Sequence, residues 1–231
     1  MKSGKLSINS DLLKIIALLL MTLDHIAKIF PEVPFADVFN ILGRFSFSLF
    51  AFILMYHLYS LQIYKKYLLR LGIWSAVTYL VMLPFYYYGA NMSGVPFNIL
   101  FLFFASVLAL ALEDFGKKKI KNKFFKRLFI LSAYCFCLLL VCRISIFAFI
   151  YVVLIYHFFK KPTIFCVVMT LLFGFITNLG GFMGCVAMVA TLIAMSIDYN
   201  AKQKRIIRGW YLFYLYYPLH LVLLLLLKMY I

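Results

Sequence analysis

Charge is scarce in this sequence. Only 13% of its 231 residues are Asp, Glu, Lys or Arg, against 66% hydrophobic and 19% aromatic. A soluble domain of this length cannot bury so much apolar surface, so a soluble globular fold is excluded and a polytopic membrane protein is expected. Cysteine chemistry is missing too. Cys135, Cys137, Cys142, Cys166 and Cys185 form no CxxC pair and no Cys/His spacing of a zinc site. They read as small apolar helix residues. The chain also lacks a Gly-rich phosphate loop, a Ser-His-Asp order and a metal-ligand set, so no metal is expected. Without low-complexity runs, a long linker or a soluble segment, residues 1–231 read as one integral-membrane domain. No clear inverted repeat is visible, which weakens a secondary-transporter reading. No small-residue cleavage site follows the charged N-terminal lead, so the first apolar run reads as an uncleaved signal-anchor helix.

What the chain does contain is a series of apolar runs. A bilayer takes about 20 mostly apolar residues at roughly 1.5 Å each. On that rule the sequence predicts an all-α transmembrane bundle of about nine spanning helices, with eight also compatible. The segments are 11–30, 36–60, 66–88, 96–113, 124–142, 144–160, 163–180, 182–198 and 209–230. Nineteen of the 23 basic residues cluster at alternate segment ends: leading into segment one and around the ends of segments two, four, six and eight and the starts that follow them. The positive-inside rule then places the N-terminus in the cytoplasm and Ile231 outside, in a multi-pass protein of the inner or plasma membrane. This clustering also accounts for the net charge of +16 without nucleic acid as a partner. The lipid bilayer is the expected surrounding, and a homo-oligomer is compatible with it.

The first run, Asp11–Phe30, carries Asp24 and His25 well inside its apolar length. Ionisable groups cost about 3 kcal/mol each at such depth on insertion scales, so they usually face a protein interior or a wet cavity. Arg44, Asn98, Arg143, Asn178 and His220 fall with them in the middle or outer half of the predicted membrane, which suggests one polar cavity opening outward. Plainer readings stand beside this one. Asp24 could be a structural ion-pair partner of Arg44 or of Lys28 at i+4. His25 and His220 could merely hydrogen-bond between helices, and Arg143 could snorkel from a loop. His57 and His157, at inner helix ends, read as interfacial. A buried histidine with a carboxylate and an arginine nearby suits general-base activation of an amine or hydroxyl. Adjacent helix residues point about 100° apart, so a second helix is the more natural support for His25 than Asp24 is.

The stretches Leu13–Ala17 with Met21-Thr22-Leu23-Asp24-His25-Ile26, Leu42-Gly43-Arg44-Phe45-Ser46-Phe47, Lys66–Leu71 and Phe213–Leu221 resemble, in order, motifs of the TraX family. That family is typified by the acetylase of conjugative F-pilin. The resemblance implies an integral-membrane acetyltransferase that takes acetyl from cytoplasmic acetyl-CoA as co-substrate. The acceptor would be an amine or hydroxyl at the outer side, on a pilin-like protein N-terminus or an envelope glycan. By the same resemblance His25 is the catalytic histidine and Asp24 and Arg44 support it. His220, Tyr217, Asn98 and Arg143 are the expected substrate-contacting positions. The chain departs from the family pattern at Ala27, Ser48, Tyr56-His57 and Arg143–Ser145. Two other function classes are weighed against the enzyme. One is a small transporter or channel with a polar relay, and the other is a non-catalytic assembly factor of a secretion apparatus.

Overall fold

The computed structural model describes residues 6–88, 98–141, 145–178, 181–199 and 210–230. Among them are nine helices: α1 (Ser10–Ile29), α2 (Ala36–Leu61), α3 (Tyr64–Tyr88), α4 (Ile99–Lys119), α5 (Lys123–Val141), α6 (Ile146–Lys160), α7 (Ile164–Thr177), α8 (Gly181–Ser196) and α9 (Trp210–Tyr230). Their order and bounds follow the apolar runs within a few residues. The largest difference is α4, which continues to Lys119 instead of ending near 113. Glu113–Lys117 and Asp114–Lys118 ion pairs at i, i+4 carry the helix through the charged stretch.

Side-chain caps set several starts. Asn9, Asn98, Ser145 and Thr163 accept from backbone amides in the first turns of α1, α4, α6 and α7. Helices α2, α3, α4, α5 and α9 are long and apolar enough to cross a membrane. Helix α1 has 20 residues but holds Asp11, Lys14, Asp24 and Lys28. Helices α6, α7 and α8 are apolar and have 15, 14 and 16 residues.

The helices alternate in direction, as cross-links at the two ends of the bundle show. At the basic end the strands β1 (Leu6–Ser7) and β2 (Ile197–Asp198) pair in parallel, joining the lead into α1 to the exit from α8. Tyr199 follows β2 and stacks on Tyr56 near the end of α2, with ring centroids 5.3 Å apart. Burial there raises the Tyr199 phenol above its ordinary pKa, and the hydroxyl donates to the Ala194 carbonyl at 2.9 Å. The hydroxyls of Tyr64, at the start of α3, and Tyr156, near the end of α6, meet at 2.7 Å. Lys14 of α1 lies 5.2 Å from the Phe213 ring centre and His25, further along, meets His220, so α9 runs parallel to α1.

Helices α2, α4 and α6 form the middle of the bundle. Phe52, Met55, Leu58, Leu102, Val107, Val152 and Ile155 are enclosed there, and Ala17, Ala51 and Ala105 are fully buried. One polar group is built into this core. The buried Tyr151 hydroxyl bonds Ser48 Oγ at 3.0 Å and Thr191 Oγ1 at 2.9 Å, so Ser48, where the family pattern is departed from, has a partner on α6. The outer rank presents Leu69 and Leu80 of α3, Leu131 and Leu139 of α5 and Ile164 of α7 to the surroundings. That apolar exterior belongs to a membrane protein.

Candidate active site

A cavity of about 260 Å³ opens at the end of the bundle away from the basic connections. The last third of α1 supplies Met21, Asp24, His25 and Lys28, and the first turns of α2 supply Gly43 and Arg44. Ser145 at the cap of α6, Thr177 and Asn178 at the end of α7 and Tyr217 of α9 complete its polar rim. Phe47, Phe50, Leu102 and Phe103 form an apolar floor.

Gly43 sets the spacing of the first two helices. A Cβ at that position would overlap the side chain of Asp24, so only a glycine lets α2 approach α1 here. Ser46 one turn on donates to the Ala17 carbonyl at 2.8 Å and fixes the register of the pair. Asp24 Oδ2 accepts from Lys28 one turn along α1. Arg44 brings Nη2 to 3.8 Å from Asp24 Oδ1, an ion pair longer than a hydrogen bond. Its Nη1 donates to Asn178 Oδ1 at 3.2 Å, and Asn178 in turn donates to the Gly174 carbonyl at 3.0 Å. Asp24 Oδ1 and Arg44 Nε are buried without a hydrogen bond.

His25 is held by α9. Its Nδ1 lies 2.9 Å from Nε2 of His220, whose own Nδ1 lies 2.8 Å from the Tyr216 carbonyl. The carbonyl can only accept, so His220 Nδ1 carries a proton. With both rings neutral, Nε2 of His220 is then the acceptor and Nδ1 of His25 the donor. The lone pair of His25 is left on Nε2, which takes no hydrogen bond among the described residues. Aromatic contacts hold the pair in place. Tyr216 stacks on His220 at 5.1 Å and 13°, and Tyr217 meets His25 edge-on at 6.3 Å. Thr22 donates to the Leu18 carbonyl at 2.9 Å and therefore accepts from the Tyr216 hydroxyl at 2.7 Å. The result is a neutral imidazole base with a fixed tautomer on a cavity wall.

The arrangement calls for a comparison with known sequences. A family model described as TraX protein matches residues 9–228, from the cap of α1 to the last turn of α9. The chain belongs to the TraX family. No curated protein and no solved structure matches it.

In this TraX chain the structure gathers Asp24, His25, Arg44 and Tyr217 on one cavity, with His220 directly behind His25. Asp24 makes no hydrogen bond to His25, whose support comes from α9. The expected substrate contact of Asn98 is replaced by a structural role. Its Oδ1 caps α4 through Phe101 N at 3.1 Å and its Nδ2 donates to the Ser75 carbonyl at 3.0 Å. Asn98 borders a separate, nearly apolar groove between α3 and α4, and only its neighbour Ile99 reaches the His25 cavity. The asparagine stands where a helix begins beside another helix, and its amide oxygen caps the one while its Nδ2 bonds the other. Arg143 lies outside the described residues.

Sequence reasoning did not single out two features. Gly43 appears in it only as part of the Leu42-Gly43-Arg44 resemblance, although a glycine beside a charge in a spanning run signals close helix approach. The second is a polar cluster at the basic end. Glu113 is buried, accepts from Lys117 and from the Tyr134 hydroxyl of α5, and lies 3.6 Å from His157 Nε2 of α6. An acid at the end of an apolar run, followed by lysine at i+4, was its only signal.

Proposed function

We propose that this TraX chain is a membrane acetyltransferase that moves acetyl from cytoplasmic acetyl-CoA to an acceptor amine or hydroxyl on the far side of the inner or plasma membrane. The observation that carries this reading is the His25–His220 pair. A ring whose Nδ1–H is committed to a second ring, with its other nitrogen unbonded at a cavity, is prepared to take a proton. In the reaction the acceptor O–H or N–H proton passes to His25 Nε2 as the acceptor attacks the thioester carbonyl. The C–S bond then breaks, and the thiolate of CoA receives that proton from His25. The guanidinium of Arg44 supplies positive charge where the carbonyl oxygen becomes negative, a contribution of about 3 kcal/mol for a well-placed donor. A route through an acetylated His25 uses the same residues.

The nine helices would all span, with the basic end in the cytoplasm. Its lysines, Lys117 to Arg127 above all, would attract the phosphates of CoA by their long-range field. Between that end and the cavity floor Ala17 of α1, Ala51 of α2 and Ala105 of α4 are fully buried small side chains. The pantetheine arm would pass where these small side chains let the helices part.

The test uses the full chain in lipid nanodiscs with radiolabelled acetyl-CoA. Binding of acetyl-CoA and label transfer to an acceptor in wild type, with transfer lost in His25→Ala, is the expected result. A His25→Ala variant that transfers label as wild type does would overturn the reading. Ligand-driven flux in proteoliposomes without acyl transfer would replace it with the transporter.

A further inference from the structure

Resting on the reading of a spanning bundle with His25 as its base, we infer that the cavity takes the polar head of a lipid from the outer leaflet, so that the acceptor group is lipid-borne. The helices are unequal in length, and their basic ends lie level. There the Tyr64 and Tyr156 hydroxyls meet at 2.7 Å, and Tyr56 near the end of α2 faces Phe159 near the end of α6 at 5.4 Å. Helices α6, α7 and α8 have 15, 14 and 16 residues. That is about 21–24 Å of rise, against about 30 Å of hydrocarbon. The shortfall falls at the cavity end.

The other side of the cavity is taller. Helix α9 meets His25 through His220 and then continues to Tyr230. Leu221–Leu227 carry it about 10 Å further before Lys228 appears. Leu224 and Leu225 cluster there with Ile29 of α1 and Met82 of α3, while Leu223, Leu226 and Leu227 are exposed. Exposed leucines over that length belong in hydrocarbon, which therefore reaches about two turns past the imidazole pair. On the short side, Ser145 at the cap of α6 and Thr177 and Asn178 at the end of α7 line the cavity itself. Asn178 is bonded to Arg44, eight residues past the start of α2 at Ala36. These polar ends lie below the boundary that α9 marks.

The lip on the short side is amphipathic. Ile146 and Phe147 directly follow Ser145, Phe182 comes four residues after Asn178, and all three are exposed. A bilayer meeting short helices must thin or admit polar groups, at a cost. An amphiphile lowers that cost. Its tail stays in the leaflet against Ile146, Phe147 and Phe182, and its head passes Ser145, Thr177 and Asn178 into the cavity. The volume of about 260 Å³ lies below the roughly 300 Å³ at which pockets for drug-sized ligands begin, so it suits a head group and not a chain. With His25 neutral, Lys28 and Arg44 against Asp24 leave one net positive charge there, which favours the phosphate that joins a lipid head to its tails. A water-soluble acceptor has no use for the apolar lip.

The experiment uses the full chain in phosphatidylcholine nanodiscs. Phe182→Trp places a fluorophore on the lip, read as the difference from wild type. Its emission should be quenched by brominated acyl chains and not by aqueous iodide. A phosphatidylethanolamine bearing a small diazirine on its amine should cross-link within residues 21–28 or 43–50. Unlabelled phosphatidylethanolamine should compete, and glycerophosphoethanolamine, the same head without tails, should not. With labelled acetyl-CoA, transfer to phosphatidylethanolamine or phosphatidylglycerol should run about tenfold faster than to their deacylated heads at equal total concentration. Quenching by iodide alone, cross-links absent from both stretches, or equal competition by the deacylated head would each overturn the proposal. Transfer to deacylated heads as fast as to lipids would overturn it while sustaining the acetyltransferase. Competed cross-links in the cavity without transfer to any head would sustain the lipid site and remove the acetyltransferase.

Discussion

Each end of the bundle holds a buried carboxylate with a lysine one helical turn further on, and the two are finished differently. At the basic end both oxygens of Glu113 are taken, Oε1 by Lys117 and Oε2 by the Tyr134 hydroxyl, with His157 alongside. The cluster ties α4, α5 and α6 together. At the other end Lys28 takes Oδ2 of Asp24, while Asp24 Oδ1 and Arg44 Nε are buried without hydrogen bonds in residues that line a cavity. The parts are the same, but only the first set is closed. A satisfied buried network serves structure, whereas an incomplete one leaves buried polar atoms unpaired, an uncommon feature in native proteins.

The sharpest way to break this contrast is to exchange the kinds of damage. His25→Ala should reduce acetyl transfer by about 10²–10⁴-fold, the usual range for a general base, with a melting temperature near wild type. Equal losses of transfer and stability would make the cavity as structural as the Glu113 cluster. Next in size is Gly43→Ala. The new methyl meets the Asp24 side chain at its root, which cannot swing away, so α1 and α2 must separate at a cost of about 3 kcal/mol. Gly116→Ala is its counterpart near the other end, where the methyl meets the ring of Phe129 at 2.7 Å. That ring can turn, and about 1 kcal/mol is expected. Denaturation midpoints in matched nanodiscs should rank the two in this order.

Glu113→Gln should cost about 2 kcal/mol, through the charge-assisted bonds to Lys117 and Tyr134, and leave transfer per folded molecule unchanged. A selective fall in transfer would move the basic-end cluster into the reaction. Smallest is Tyr134→Phe, which removes one hydrogen bond worth about 1 kcal/mol and is read by the same melting experiment.

The sequence was most legible where physics is local. Helix bounds followed from apolar length and flanking charge, so the predicted run 36–60 is α2 (Ala36–Leu61) and 209–230 is α9 (Trp210–Tyr230). The meeting of Asp24, His25, Arg44 and Asn178 could be anticipated from depth alone, because a strict alternation of helices brings groups of equal depth together. Which of them touch stays open in the sequence, where a His25–His220 hydrogen bond is one reading among several. Rotation of α9 about its axis decides that His220 supports His25, and no pattern within either helix encodes it. Asn98 shows the same limit in reverse. Its depth fitted the site, but it also begins a helix, and the cap takes the side chain. Glu113 escaped notice because the helix was expected to end there, and only the continuation to Lys119 brings Lys117 above it.

The two imidazoles that meet in the cavity wall are 195 positions apart along the chain, and β1 finds its partner only after α8. During synthesis α1 is made early, yet neither its tether nor its catalytic companion exists until almost everything else has left the ribosome. A growing chain therefore carries His25 without a fixed proton arrangement, and the imidazole pair forms only when α9 docks against α1. Docking of α9 thereby completes the cavity wall with Tyr217 and the polar pair with His220.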